Sequence, residues 1–92
     1  MSCIDVVVFE HGALYTFDVP SLGISIYQEN GDSIGDCIDA IYSEIHYLIM
    51  GDRFGHTFIP RLRFDLSGVT IILVMCEIED HMRDKYGYEI SN

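Results

Sequence analysis

Residues 34–50 read IGDCIDAIYSEIHYLIM, the clearest structural pattern in the chain. Its apolar side chains recur every three to four residues, which is the period of an amphipathic α-helix. Asp32 or Ser33 can cap the first turn, and a glycine follows the last. The pattern therefore predicts a helix over 34–50 with one side on a core, formed by Ile34, Cys37, Ile38, Ile41, Ile45, Leu48 and Ile49.

Three short strands are predicted before this helix. Ile4–Phe9 is rich in β-branched residues, and Ala13–Val19 alternates in the period of a half-buried strand. With the His11-Gly12 turn between them, the two stretches predict a hairpin. Ile24–Tyr27 predicts a third strand, and the turn-forming residues 29–32 follow it.

The chain after the helix predicts two more strands and a second helix. Residues 52–57 read as a polar loop, and Arg61–Leu66 alternates as a strand with one wet face. Ser67-Gly68 has the length of a tight hairpin turn before Val69–Ile78, whose unbroken apolar run predicts a central strand buried on both faces. Glu79–Tyr86 predicts a short closing helix.

These elements define an α+β fold in a single domain over residues 1–92. We expect the order β-β-β-α-β-β-α, in two layers, with one long helix packed on a face of a mostly antiparallel sheet. A domain of this size buries only about 60 to 65 % of the surface of its unfolded chain. A partner or a second copy would therefore add stability that the small core cannot supply.

The sequence carries no sign of export or of membrane insertion. The first twenty residues lack the basic start and apolar run of a secretory signal. The longest uncharged apolar run, Val69–Cys76, is less than half of the roughly 20 residues that a spanning helix needs. Cys3, Cys37 and Cys76 are odd in number and lie in apolar stretches, which is typical of buried, reduced thiols. We therefore expect a cytoplasmic protein with no membrane role.

Charge is the most informative feature of the chain. It holds 15 acidic against 5 basic side chains, for a formal net charge of −10. Residues 1–52 contain nine carboxylates and neither Lys nor Arg, whereas Arg53, Arg61 and Arg63 fall close together after them. A surface this negative repels nucleic acid, so we expect no direct nucleic-acid binding and favour a basic protein as the partner.

The predicted helix concentrates this charge in an acidic ridge. Asp32, Asp36 and Asp39 fall opposite its apolar side, and carboxylates one turn apart are spaced by roughly 5 to 6 Å, on the scale of phosphates along a nucleic-acid strand. The helix dipole offers another explanation, since acidic residues stabilise the first turns of a helix. The candidate partner-binding residues, with the two tyrosines at the rim, are Glu29, Asp32, Asp36, Asp39, Tyr42, Glu44 and Tyr47.

Catalytic and metal-binding patterns are weak throughout the sequence. The four histidines lack the spacing of a zinc site, and the acidic turn 29–36 does not match the order of ligands in a calcium loop. Cys37 lies among aspartates, which raise the pKa of a thiol and disfavour a nucleophile. We therefore expect no enzyme, no catalytic residues, no metal and no cofactor.

Two functions from different classes fit these features. The first is a small acidic, non-enzymatic inhibitor or immunity-type protein that binds a basic, nucleic-acid-handling protein, as a nucleic-acid mimic. In size and one-sided charge the chain resembles small inhibitors of phages and mobile elements, and this resemblance implies counter-defence. The alternative is a homo-oligomeric assembly module, in the simplest case a homodimer, in which the segment 53–63 of one copy pairs with the acidic helix of another. A third explanation is solvation in a high-salt cytoplasm, with no partner.

Overall fold

The computed structural model describes residues 3–50 and 61–87. They form an α+β fold of one four-stranded mixed sheet and two helices. The elements, which we number in chain order, are β1 (Cys3–His11), β2 (Leu14–Val19), β3 (Ile24–Tyr27), α1 (Ile34–Met50), β4 (Arg61–Gly68) and α2 (Ile72–Tyr86), with one turn of 3-10 helix at Pro20–Leu22 between β2 and β3.

The sheet has the strand order β3-β2-β1-β4. The first three strands form an antiparallel meander, in which Val8 lies opposite Phe17 and Phe17 opposite Ile26. β4 joins the far side of β1 in parallel, with Ile4 beside Leu62. Among the described strands, β1 and β2 are therefore central, and β3 and β4 lie at the edges.

Alternation along the strands gives the sheet one covered face. Val6, Val8, Phe17 and Val19 are fully buried, whereas their neighbours on β1 and β2 point to the other face. The two helices contact each other and complete one core on this covered side. Their buried side chains recur with helical spacing and are Ile34, Cys37, Ile38, Ile41, Tyr42 and Ile45 on α1 and Val74, Ile78 and Met82 on α2.

The helix predicted over residues 34–50 is confirmed with the same bounds as α1. It begins with a reciprocal cap, in which the Asp36 N–H donates to Ser33 Oγ and the Ser33 N–H donates to Asp36 Oδ2, both at 3.0 Å. This arrangement satisfies two backbone donors that a helix start leaves unpaired. Of the two candidates for the cap, Ser33 is the one that the helix uses.

The predicted fifth strand over Val69–Ile78 is wrong, since residues 72–86 form a single helix. Val74, Ile78 and Met82 are its buried side chains, at i, i+4 and i+8. The sequence suggests a buried strand because Ile72 and Leu73 are also apolar, although both are exposed. A short apolar run does not distinguish the two periods.

Three smaller predictions also differ from the structure. The hairpin predicted at Ser67-Gly68 is absent from the described residues, because β4 runs to Gly68 and pairs with β1 in parallel. The helix predicted over Glu79–Tyr86 is the second half of α2. The β1–β2 turn lies at Gly12 and Ala13, one residue later than predicted. The polar loop predicted over residues 52–57 lies outside the described residues.

Candidate functional site

The carboxylates of Glu29, Asp32 and Asp36 lie together at the start of α1, and we call them the acidic turn. All three residues are exposed. Asp32 Oδ2 accepts the Glu29 N–H at 3.2 Å, and Asp36 closes the helix cap with Ser33. Asp32 and Asp36 each use one carboxylate oxygen on a backbone donor, so their other oxygens and the Glu29 carboxylate remain at the surface.

Gln28 fixes the acidic turn to the sheet. Its backbone N–H donates to the Tyr15 carbonyl at 2.9 Å, and its side-chain Oε1 accepts the Tyr15 N–H at 2.9 Å. The Gln28 Nε2 amide then donates to the Asp32 carbonyl at 2.9 Å. The turn is thus held by side-chain and backbone contacts at both ends.

Asp39 does not continue this exposed acidic surface. It lies against α2, where Asp39 Oδ1 lies 2.9 Å from His81 Nε2 and 2.6 Å from the Tyr86 hydroxyl, and Oδ2 lies 2.8 Å from Lys85 Nζ. The prediction of a continuous exposed ridge through Asp39 is therefore wrong, because α2 engages both of its carboxylate oxygens. We call Asp39, His81, Lys85 and Tyr86 the Asp39 cluster.

The Asp39 cluster holds its carboxylate ionised. Burial raises the pKa of Asp39, but the hydrogen bonds from Lys85, Tyr86 and His81 outweigh burial and lower it to about 2. Burial raises the pKa of the Tyr86 phenol, and the neighbouring Asp39 raises it further. The phenol therefore stays protonated and donates to the carboxylate across the helix interface.

The two tyrosines predicted at the rim of the acidic surface have different positions. Tyr42 is only 3 % exposed, and its ring stacks on Tyr86 with 4.1 Å between centroids. Tyr47 is 67 % exposed, and Glu44 also lies at the surface. The structure therefore leaves Tyr47 and Glu44 available to a partner and places the Tyr42 ring in the core.

Gly35 makes room for the Asp39 cluster. A Cβ atom at this position would lie 2.6 Å from His81 Nδ1 and 2.8 Å from His81 Cε1. Sequence reasoning missed this cluster because Asp39 lies more than forty residues before the other three members. The available signals were a glycine inside an otherwise good helix and the i, i+4 spacing of His81 and Lys85.

Cys37 is a buried thiol next to the acidic turn. Burial raises its pKa to about 11, and the charges of Asp32 and Asp36 contribute to the rise. The thiol is therefore protonated and a poor nucleophile at neutral pH. Cys3 and Cys76 are exposed, so the prediction that all three thiols are buried is wrong for these two.

Arg63 on β4 and Arg83 and Lys85 on α2 pair with carboxylates near them. Arg63 Nε lies 2.7 Å from Asp5 Oδ1 on the neighbouring strand. Arg83 pairs with Asp80 at 2.6 Å, and Lys85 belongs to the Asp39 cluster. The ion pairs of the described residues include none of the predicted partner-binding carboxylates Glu29, Asp32, Asp36 and Glu44.

Two further surfaces flank these elements. The start of α2 exposes the apolar side chains of Ile71, Ile72, Leu73 and Met75, of which Ile72 is 75 % exposed. A groove of about 590 Å³ has a lining that includes Cys3, Asp5, Val7, Arg63 and Asp65. The part of the chain that the structure describes contains no group of three His, Cys, Asp or Glu side chains that could hold a metal ion. Neither α1 nor α2 is long and apolar enough to span a membrane.

Comparisons with models of protein families, with curated proteins and with solved structures found no match to this chain.

Proposed function

We propose that this protein is a non-enzymatic inhibitor that binds a basic, nucleic-acid-handling protein and blocks its nucleic-acid site. The observation that carries this proposal is that Glu29, Asp32, Asp36 and Glu44 lie exposed without an ion-pair partner among the described residues, while Arg63, Arg83 and Lys85 pair with other carboxylates. A phage or mobile element would use such a protein for counter-defence in the cytoplasm of its host.

Electrostatics supports the recognition of a basic partner. The net charge of −10 attracts a Lys/Arg-lined groove over distances up to the Debye length, about 8 Å at physiological ionic strength. The same charge raises the rate of association and repels nucleic acid itself. Tyr47, which is exposed near Glu44, supplies an aromatic side chain of the kind that protein interfaces favour.

The structure changes which residues a test must alter. Asp36 caps α1 and Asp39 holds α2, so reversing either charge would damage the fold as well as any interface. Glu29 and Glu44 are exposed, and we choose them for reversal. The matched control is Glu77→Lys with Asp84→Lys on α2, which changes the net charge equally at two other exposed positions.

The test is affinity capture from a lysate of the host cell with the wild type and both double variants. We expect a basic protein that is retained at low salt, released at high salt and displaced by duplex DNA. Glu29→Lys with Glu44→Lys should abolish its retention, and the α2 control should retain it. Retention that is equal for all three proteins, or that DNA does not displace, would contradict the proposal.

The alternative proposal is a homo-oligomeric module in which the segment 53–63 pairs with the acidic helix of another copy. Arg53 lies outside the described residues, and Arg63 is engaged with Asp5 of its own chain. Residues 62–66 of β4 favour self-association in a different geometry, in which two β4 strands pair with each other.

A further inference from the structure

β4 is the long edge of the sheet. It spans eight residues, Arg61–Gly68, with a register irregularity against β1 between Asp65 and Gly68, and among the described residues it pairs only with β1. The opposite edge, β3, is four residues long. An edge strand presents unpaired backbone donors and acceptors that can pair with another chain, and proteins usually shorten or cover such edges. The length of β4 therefore makes it the edge at which another strand can be added.

The sequence of β4 is complementary to itself in the antiparallel direction. If Phe64 of one copy lies opposite Phe64 of a second copy, Arg63 lies opposite Asp65 and Leu62 opposite Leu66, in each case from the other copy. Arg63 and Asp65 lie on the exposed face, whereas Leu62, Phe64 and Leu66 are buried or partly buried. Opposite charges therefore meet on one face and apolar side chains on the other, which are the favourable cross-strand pairs.

Neighbouring registers lack this complementarity. A pairing centred on Arg63 or on Asp65 places that charged residue opposite its own copy, and directly opposed like charges destabilise a sheet. A pairing centred on Leu62 places Arg61 opposite Arg63 of the other copy. If one strand slips by a single residue, its apolar side chains move to the face that carries the charges of the other strand. The charge pattern thus selects the register centred on Phe64.

The Arg63 guanidinium has enough donors to pair with one carboxylate of its own chain and one of a second copy. Its Nε donates to Asp5 Oδ1 at 2.7 Å on β1, and the guanidinium carries further N–H donors. These donors can reach Asp65 of the second copy, which gives a row of alternating charges from Asp5 through Arg63 to that carboxylate. Phe64 and Leu66 pack only at the border of the core, so a second copy would cover their remaining surface.

From this complementarity we infer that the outer edge of β4 is a homodimer interface, in which two copies join their sheets antiparallel about Phe64 into one eight-stranded sheet. At about 3.3 Å per residue the regular part of β4, residues 61–65, is about 16 Å long, and two edges joined over so short a strip bury less than the roughly 800 Å² per partner of a standard interface. We therefore expect a weak dimer. The inference does not rest on the proposed function, because the residues proposed to bind the basic partner, Glu29 and Glu44, lie outside β4.

Cysteine cross-linking tests both the dimer and its register. In a background of Cys3→Ser with Cys76→Ser, Phe64→Cys places two thiols opposite each other with Cα atoms about 4.5 to 5.5 Å apart, within the range of a disulfide. Leu66→Cys is the matched control, because its copies would lie four residues, about 13 Å, out of register. With oxidised glutathione we expect a covalent dimer from Phe64→Cys alone. Equal cross-linking of both variants, or none from a folded Phe64→Cys variant, would overturn the inference.

A charge exchange gives a second test that does not depend on Phe64. Arg63→Asp alone and Asp65→Arg alone each oppose like charges across the dimer axis, so each should sediment as a monomer at about 100 µM, a concentration at which weak interfaces still associate. An equimolar mixture of the two variants restores both opposite-charge pairs and should sediment as a heterodimer. A mixture that stays monomeric while the wild type dimerises, or a monomeric wild type, would overturn the proposed interface.

The two proposals fail in distinguishable ways. Glu29→Lys with Glu44→Lys should lose the basic partner and still give a Phe64→Cys cross-link. If Phe64→Cys cross-links alone but not with these two changes added, dimerisation depends on the acidic residues, which would overturn the β4 interface as proposed; loss of the partner alone leaves the dimer intact.

Discussion

At the scale of single residues, the contact between Gly35 and His81 shows how tightly the two helices fit. The His81 ring occupies the space of a missing Cβ, and Asp39 holds that ring in place from the next turn of α1. A glycine inside a helix is unfavourable by itself. At this position it permits the close approach on which the Asp39 cluster depends.

Gly35→Ala should therefore destabilise the protein, although alanine is normally the better residue in a helix. The new methyl group displaces His81 and breaks its bond to Asp39. In a His81→Ala background the same substitution should stabilise the protein, by less than the roughly 1 kcal/mol of a helix interior, because Gly35 is the second residue of α1. Urea unfolding of the four proteins measures the coupling, and equal effects of Gly35→Ala in both backgrounds would contradict the close contact.

The low pKa of Asp39 predicts how stability depends on acid. A carboxylate with a folded-state pKa of about 2 stabilises the protein fully above its unfolded pKa near 4, and that contribution is lost as the pH falls toward 2. Because the side chain is about a third exposed, we expect a contribution of roughly 1 to 2 kcal/mol.

The measurement compares the wild type with Asp39→Asn between pH 6 and pH 2. The difference in free energy of unfolding between them should be constant above about pH 4 and shrink below it. A difference that does not change with pH would show that the hydrogen bonds to Asp39 do not depend on its charge.

At the scale of elements, α1 and α2 differ in how their first turns are capped. α1 has the Ser33–Asp36 cap, whereas α2 starts at Ile71, which provides no side-chain hydrogen bond, and no acidic residue lies in its first turn. The start of α2 is therefore held by the burial of Val74 and by the Thr70 N–H bond to Glu10 at 2.8 Å.

Ile71→Ser should stabilise α2, because Ile71 already has the extended backbone of an N-cap and lacks only the side-chain acceptor. We expect a gain of about 1 kcal/mol in the free energy of unfolding, and a loss of similar size from Ser33→Ala at the capped helix. Thermal unfolding followed by circular dichroism checks both. A destabilising Ile71→Ser would mean that the apolar contacts of Ile71, which is 45 % exposed, outweigh the new cap.

The same contrast explains which elements the sequence predicts. Helix α1 is predictable because its apolar period, its cap and its following glycine agree. Helix α2 is not predictable, because the exposed residues Ile72 and Leu73 are apolar like the buried ones. The helical spacing of the buried residues therefore cannot be read from the sequence. The acidic turn was predictable from local residues, whereas the loss of Asp39 and Tyr42 from the surface depends on packing against a helix that the sequence misassigns.

At the scale of the whole molecule, charge acts on stability as well as on binding. The radius of gyration is 12.9 Å, while the Debye length falls from about 30 Å in 0.01 M salt to about 8 Å in 0.15 M salt. At low salt every carboxylate therefore repels carboxylates across the molecule, and at physiological salt this repulsion is mostly screened.

Raising the salt concentration over this range should increase the free energy of unfolding, by on the order of 1 kcal/mol. Glu29→Lys with Glu44→Lys, which makes the net charge less negative by four, should show a smaller increase. Urea titrations of both proteins at both salt concentrations provide the comparison. A salt response that is the same in both would assign the effect to the solvent and not to self-repulsion.

The strand order also has a consequence for the order of events during synthesis. β1 leaves the ribosome before β4, yet β4 is one of its two neighbours, and the Asp5–Arg63 pair joins residues 58 positions apart. Until β4 emerges, the nascent chain has an unfinished sheet with β1 open on one side. Folding therefore finishes late, and pairings this distant in sequence fold slowly compared with local ones. A chain interrupted before residue 61 would expose that open strand to whatever is nearby in the cell.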